Sequence, residues 1–346
     1  MVKVREDYPL LTDGTVDLES WLGRLVRDEE DINLDEVKRA CELARSCDTK
    51  LAGSASDSSF DPESNSNSAQ DSFAKANTSQ APWSEQVGSF ATGMEMVQIL
   101  DELQLDTPSL LAAVLYRPVR ENKLNLAQVE KEFGKEVARL IQGVLQMAAI
   151  SHMRHPIQGT VLGQNQTQVD NIRRMLVTMV DDVRVALIKL AERTCAIRAS
   201  KNVESERRHR MAREVFDIYA PLAHRLGIGY LKWELEDLSF RYLHEKAYKK
   251  IARLLDERRL DRQKFINEVL ATLRSELSQN EINAELAGRA KHIYSIWRKM
   301  HRKGIDFERV YDIRAIRILV PSVKDCYSAL GIVHALWRHI PSEFDD

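Results

Sequence analysis

Apolar positions recur at helical spacing along most of this chain. Leu18, Trp21, Leu22 and Leu25 share one helical face, and Val37, Ala40, Cys41 and Ala44 repeat the pattern. Met96, Val97, Leu100 and Leu103 form another face. A short apolar helix is expected over 109–116, ended by Arg117-Pro118, because proline lacks the N–H that continues a helix. Asn125 reads as the N-cap of a helix over 126–149. A long helix is expected over 170–197, with Ile172, Leu176, Met179, Val183, Leu187 and Leu190 as its core stripe. Residues 202–210 read as a charged linker, followed by helical stretches at 219–228, 233–242 and 248–277. No strand pattern precedes residue 280, so the first domain is expected to be all-α. The period then switches. Residues 282–286 alternate as a strand, Ile293, Ile296, Trp297 and Met300 line a helix, and 313–320 is β-rich. Ser322 with Asp325 reads as a capping box for a helix over 325–338. Strand, helix, strand, helix marks the beginning of an α/β domain.

Composition interrupts this pattern once. From residue 48 to 87 the chain turns to Ser, Asn, Asp, Gly and Ala with almost no branched aliphatics, so a disordered insertion is expected. The resulting organisation is N-terminal helices at 1–47, the insertion at 48–87, a helical domain at 88–200, a helical linker at 201–278, and an α/β segment at 279–346. A length of 346 residues suits two or three domains, and 44% hydrophobic with 29% charged residues is ordinary for a globular protein. Net charge is −2, so any basic site must be local. The charged N-terminus lacks a signal-peptide core, no apolar run approaches about 18 residues, and the four cysteines are scattered. A cytoplasmic protein without a membrane span is expected.

One stretch carries candidate chemistry. Lys291, Ser295, Lys299 and Arg302 step by four, four and three, which places three cations and a hydroxyl on one expected helical stripe. Arg289 and Lys291 stand where the preceding strand hands over to that helix, and helix N-termini favour anions. A solvated basic face is the ordinary reading of such a stripe. Beyond it, Asp312 heads a strand, and a carboxylate near clustered cations suits a Mg2+–nucleotide pair. Trp233 and Trp297 read as core anchors, and His152, His155, His224 and His334 as surface or packing residues.

The segments Gly288-Arg289-Ala290-Lys291-His292-Ile293-Tyr294-Ser295-Ile296-Trp297-Arg298-Lys299-Met300, Tyr311 to Val320, Asp325 to His334 and Glu343-Phe344-Asp345-Asp346 closely resemble the synthetase domain of the RelA/SpoT family. The resemblance runs from about Gly88 to the end, with Ala290 replacing the family's usual proline. It implies a multi-domain protein: an all-α HD-type domain, a helical linker, and the first part of a nucleotidyltransferase-like (p)ppGpp synthetase. It also implies a GTP pyrophosphokinase reaction, in which pyrophosphate passes from ATP to the 3′-hydroxyl of GDP or GTP and AMP leaves. Arg289 and Arg317 would sandwich the adenine, while Lys291, Ser295 and Lys299 would hold the phosphates. Asp312 would bind Mg2+, and Arg302 and Lys303 would add to the phosphate field. On a regular strand Asp312 and Arg317 would face opposite ways, so Asp312 is expected just before the strand or at a bulge. The family's guanine-stacking tyrosine and second carboxylate lie beyond Asp346, so this polypeptide alone is expected to hold the ATP half-site with little synthesis. Ribosome and uncharged-tRNA contacts belong to C-terminal domains of the family. The acidic ending resembles that of synthesis-only members, which prefer Mg2+.

In the family the helical domain is a Mn2+-dependent hydrolase. Here no histidine precedes His152. Aligned by pattern, the family's first histidine falls at Thr92, its His-Asp pair at Tyr116-Arg117, its Glu-Asp pair at Arg120-Glu121, and a later aspartate at Glu192. Arginines in a cation site repel the metal, so a degenerate pseudo-hydrolase is expected. A regulatory module that binds nucleotide without catalysis, and a nucleic-acid binder using residues 289–303, remain the competing readings.

Overall fold

A computed structural model describes Pro9 and residues 16–25, 32–53, 88–152, 182–257, 259–310 and 313–339. It divides into two compact units, Val4–Ser239 and Phe240–Asp346. Among the described residues no helix is long and apolar enough to cross a membrane.

The long elements of the first unit's described residues are helices: α1 (Leu18–Leu22), α2 (Leu34–Gly53), α3 (Ser89–Glu102), α4 (Thr107–Arg120), α5 (Leu126–Phe133), α6 (Lys135–His152), α7 (Val183–Ala199), α8 (Ser205–Glu214) and α9 (Ala220–Arg225). α10 (Gly229–Leu243) contains the division between the units. Helix α4 is the hub, burying Leu110, Leu111, Val114 and Leu115 together with the polar Ser109 and Arg117. Its cap is Asp106, which accepts from the Ser109 N–H at 3.3 Å. Helix α3 lies so close that a methyl on Gly93 would sit 3.0 Å from the Val114 carbonyl oxygen.

Several expected boundaries move. Helix α4 does not stop at Arg117 but continues through Pro118 to Arg120. Pro118 removes only its own donor to the Val114 carbonyl, and packing on α2, α3 and α6 holds the remaining turn. The expected helix over 126–149 is two, broken at Gly134, whose φ of 93° no helix accommodates. The linker at 202–210 is mostly helix α8, which continues as a π turn over Val215–Tyr219 into α9. Helix α2 runs through Gly53, into the stretch expected to be disordered, because Asp48 bonds the Phe90 N–H at 3.0 Å and Lys123 at 2.9 Å. The rest of that insertion, 54–87, lies outside the described residues, as do Ile172, Leu176 and Met179 of the long helix expected over 170–197.

The second unit adds α11 (Glu245–Glu257), α12 (Arg259–Gln279), β1 (Glu285–Ala290), α13 (Ile293–Lys303), β2 (Arg314–Leu319) and α14 (Val323–Leu336). β1 and β2 pair antiparallel, with Glu285 opposite Leu319 and Ala290 opposite Arg314. Two small cores form. Leu273, Leu277 and Ala329 gather Leu286, Ile316 and Ile318 beneath the sheet, while Ile251 of α11, Ile296, Phe307 and Val310 seat α13. The alternation at 282–286 is therefore packing more than pairing: Ile282 and Ala284 lie against the first of these cores, but the ladder begins only at Glu285. Ser322 caps α14 as expected, accepting from the Asp325 N–H at 3.2 Å, so the helix starts two residues earlier than the pattern suggested.

Candidate functional site

The loop and helix after β1 hold the expected phosphate-binding residues. Helix α13 begins at Ile293, with His292 as an N-cap whose side chain makes no capping bond. Lys291 therefore precedes the helix instead of lying on its stripe, a correction to the even spacing of four. Its backbone N–H donates to the Ile313 carbonyl at 3.3 Å, which ties the helix entry to the residue directly after Asp312. Asp312 itself lies outside the described residues, and β2 begins two residues after it. Ser295, Lys299 and Arg302 share the side of α13 turned from Ile296 and Met300, with Ser295 and Lys299 half-buried and Arg302 and Lys303 exposed. An entry without a side-chain cap, followed by a hydroxyl and two ammonium or guanidinium groups, suits an anion of several charges.

The sheet supplies a second surface. Register pairs in an antiparallel ladder share a face. Ala287 pairs with Arg317 and Arg289 with Ala315, so Arg289 and Arg317 occupy one face on a diagonal. The opposite face carries Gly288, where a methyl would lie 2.6 Å from Ile266 of α12. Gly288 is thus required by the close seating of β1 on α12, which leaves the arginine face outward; Ala287, Ala315 and Arg317 are exposed.

A buried ionic cluster occupies the first unit. Glu192 of α7 is fully buried and meets Arg120 at 3.2 Å, Lys189 at 2.8 Å and Arg193 at 3.1 Å. Burial alone would raise its carboxyl, but Arg193, Lys189 and Arg120 overcome this and hold it far below the usual carboxylate range. Burial, then Arg193 and Arg120, pull the Lys189 ammonium down to about 7 against the pull of Glu192. Of these three cations Lys189 alone is shifted towards its neutral form, which makes it the surplus cation of the set. Next to this set, Arg117 donates to the Thr92 hydroxyl and pairs with Glu121 at 3.0 Å. Glu121 also accepts from Ser89 at 2.5 Å and meets Lys123 at 2.8 Å. Burial opposes its ionisation, but these partners hold its pKa down. Tyr116 is buried with the Lys189 ammonium 5.9 Å over its ring.

Residues 69–229 match the HD domain, and residues 288–346 match a region found in RelA / SpoT proteins. Over 254 residues the chain is 50% identical to a GTP pyrophosphokinase of Escherichia coli K12, an alignment covering 73% of this chain and 34% of that protein. GTP pyrophosphokinases of Haemophilus influenzae, 48% identical over 257 residues (74% of this chain, 34% of that protein), and Myxococcus xanthus, 39% over 253 residues (73% and 33%), are also similar. The chain belongs to the RelA/SpoT family. It spans about a third of the length of these curated relatives.

Thr92, Tyr116, Arg117, Arg120, Glu121 and Glu192, the positions expected from the sequence to replace metal ligands, all lie in or beside the buried ionic cluster. Glu192, the one central carboxylate, is already shared by Arg120, Lys189 and Arg193, and the Thr92 hydroxyl is taken by Arg117. A divalent cation needs unengaged oxygen or imidazole donors, so these residues do not fit one. Lys189 and Arg193 were not singled out from sequence. Their positions three before and one after Glu192 carried the signal, but only the approach of Arg120 from α4 reveals the cluster.

Proposed function

We propose that this chain carries the ATP-binding half of a (p)ppGpp synthetase. In the reaction, the 3′-oxygen of GDP or GTP bonds to the β-phosphorus of ATP, the bond from that phosphorus to the α–β bridging oxygen breaks, and AMP leaves with that oxygen. Lys291, Ser295 and Lys299 hold the triphosphate, with Arg302 and Lys303 adding positive field. Arg289 and Arg317 grip the adenine through guanidinium planes, which lysine could not replace. Asp312, a hard oxygen donor, would hold Mg2+. When bound, that ion neutralises charge on the transferring group. The observation that carries this reading is the Lys291 N–H to Ile313 carbonyl bond, which sets the cationic helix entry next to Asp312 in the chain.

The HD-type unit does not hydrolyse (p)ppGpp and serves as a scaffold. The test is ATP titration with and without Mg2+, repeated with Asp312→Asn. Binding that needs Mg2+ and falls at least tenfold in the variant supports the reading. Binding of nucleic acid that ignores Mg2+ and weakens steeply with salt would replace it.

A further inference from the structure

The face of the β1–β2 pair turned to α12 changes character along its length. Ile318 and Ile316 of β2 pack with Leu273 and Leu277 of α12, and Gly288, opposite Ile316, touches down on Ile266. Two residues nearer the head of β2, the alternation of the strand puts Arg314 on this same face. Phe265 of α12 meets it there, with the guanidinium carbon 4.6 Å from the centre of the ring. Arg314 is exposed and Phe265 is 45% exposed, so the contact is not a by-product of burial. A large exposed ring on a helix and a cation lying over it form a cation–π pair.

Where this pair stands gives it a consequence. Arg314 is the first residue of β2 and is paired with Ala290, the last of β1. Directly beyond that final rung the Lys291 N–H donates to the Ile313 carbonyl at 3.3 Å, and α13 then begins without a side-chain cap. The end of a ladder opens more readily than its middle, because its bonds meet water and lack a neighbour on one side. We propose that Phe265, acting through Arg314, is a positioning residue for triphosphate binding. By holding the head of β2 on α12 it keeps the Ile313 carbonyl in reach of the Lys291 N–H, and so keeps Lys291 and the entry of α13 in place for the phosphates. This role rests on the ATP reading above and deepens it: α13 supplies the groups that meet the anion, and the Phe265–Arg314 contact holds their starting point.

The experiment titrates ATP and inorganic tripolyphosphate in Mg2+ by calorimetry and follows hydrogen exchange at the Lys291 amide. It uses the chain, Phe265→Leu, Arg314→Gln, the double variant, and Phe265→Tyr, which keeps the ring. Both side chains are exposed, so every variant should keep the wild-type melting profile. Expected in Phe265→Leu and Arg314→Gln are faster exchange at Lys291 and binding of both ligands weakened about two- to fivefold, the affinity equivalent of one exposed cation–π contact. The double variant should lose no more than either single one, since one contact joins the pair, and Phe265→Tyr should match wild type in every reading. Unchanged affinity in Phe265→Leu, with or without faster exchange, would overturn the positioning role and leave the ATP reading standing. Losses that add in the double variant, a lowered melting temperature alongside them, or no recovery in Phe265→Tyr would each overturn it as well. A wild-type chain that binds neither ligand would overturn the ATP reading, and the positioning role with it.

Discussion

Glu192 is the residue on which the helical unit's charge balance turns. Removing one partner of a buried ionic set leaves the others unpaired, which costs more than the intact set contributes. Glu192→Gln would leave Arg120, Lys189 and Arg193 facing one another. The expected loss is about 3 kcal/mol in denaturant unfolding, the low end of the usual 3–5 because Lys189 can shed its proton. Lys189 gives the pH signature. Its folded pKa, about 7, lies below its ordinary 10.5, so between those values the unfolded chain binds more protons than the folded one. This residue's contribution therefore rises as pH climbs from about 7 to about 10.5, and its penalty is complete below 7. Lys189→Met should flatten that slope and raise stability at pH 6, measured by urea midpoints across the range. A slope unchanged by the substitution would show that the amine is not the surplus charge. Groups facing it are Glu192 and Arg193 on α7 and Tyr116 and Arg120 on α4.

At the level of elements, two glycines decide how closely neighbours approach. Gly93→Ala would ordinarily gain up to about 1 kcal/mol in a helix. Here the new methyl meets the backbone of Val114 at 3.0 and 3.1 Å, and a helix backbone cannot step aside as a side chain can. A net destabilisation of about 1–3 kcal/mol is expected from thermal or urea unfolding. Gly288→Val should lift β1 from α12 and weaken ATP binding as well as stability, since the arginine face moves with the strand. Periodicity located these elements well because a buried stripe is a local property of the sequence: Val37, Ala40, Cys41 and Ala44 are fully or almost fully buried, as their spacing indicated. It failed where tertiary packing overrides local preference. Pro118 reads as a stop, yet α4 is held on three sides and runs on for two residues. The charged run at 202–210 reads as linker, yet Arg208 turns its guanidinium back to the Lys201 and Val203 carbonyls and the backbone coils into α8. Trp297 reads as an anchor, and it is one: Phe240, His244 and His301 surround its ring at 4.9, 5.4 and 5.3 Å.

For the whole molecule, the stripe of Ser295, Lys299 and Arg302 was legible as a pattern because all three lie on one short helix. The pairing that puts Arg289 and Arg317 on one face was implied only by the family resemblance and not by periodicity, since it depends on the register between two strands with a helix between them. The Arg120–Glu192 contact, between α4 and α7, was likewise implied only by the resemblance, which put both at one degenerate site. Together these two long-range arrangements separate the units by their response to metal. In the helical unit the carboxylates already have cationic partners, so a divalent ion would have to displace arginine from Glu192 or Glu121 without a new donor to replace it. Under the proposed ATP reading, a divalent ion enters the second unit only together with the triphosphate. EDTA should therefore leave the melting of the nucleotide-free chain unchanged, and Mn2+ alone should not raise it. Mg2+ with ATP at a hundred times its dissociation constant should stabilise the chain by about 2.7 kcal/mol, a shift of several degrees by calorimetry. A melting shift with Mn2+ alone that disappears in Glu192→Gln would mean the ionic cluster opens to admit metal, and the scaffold role of the helical unit would fall with it.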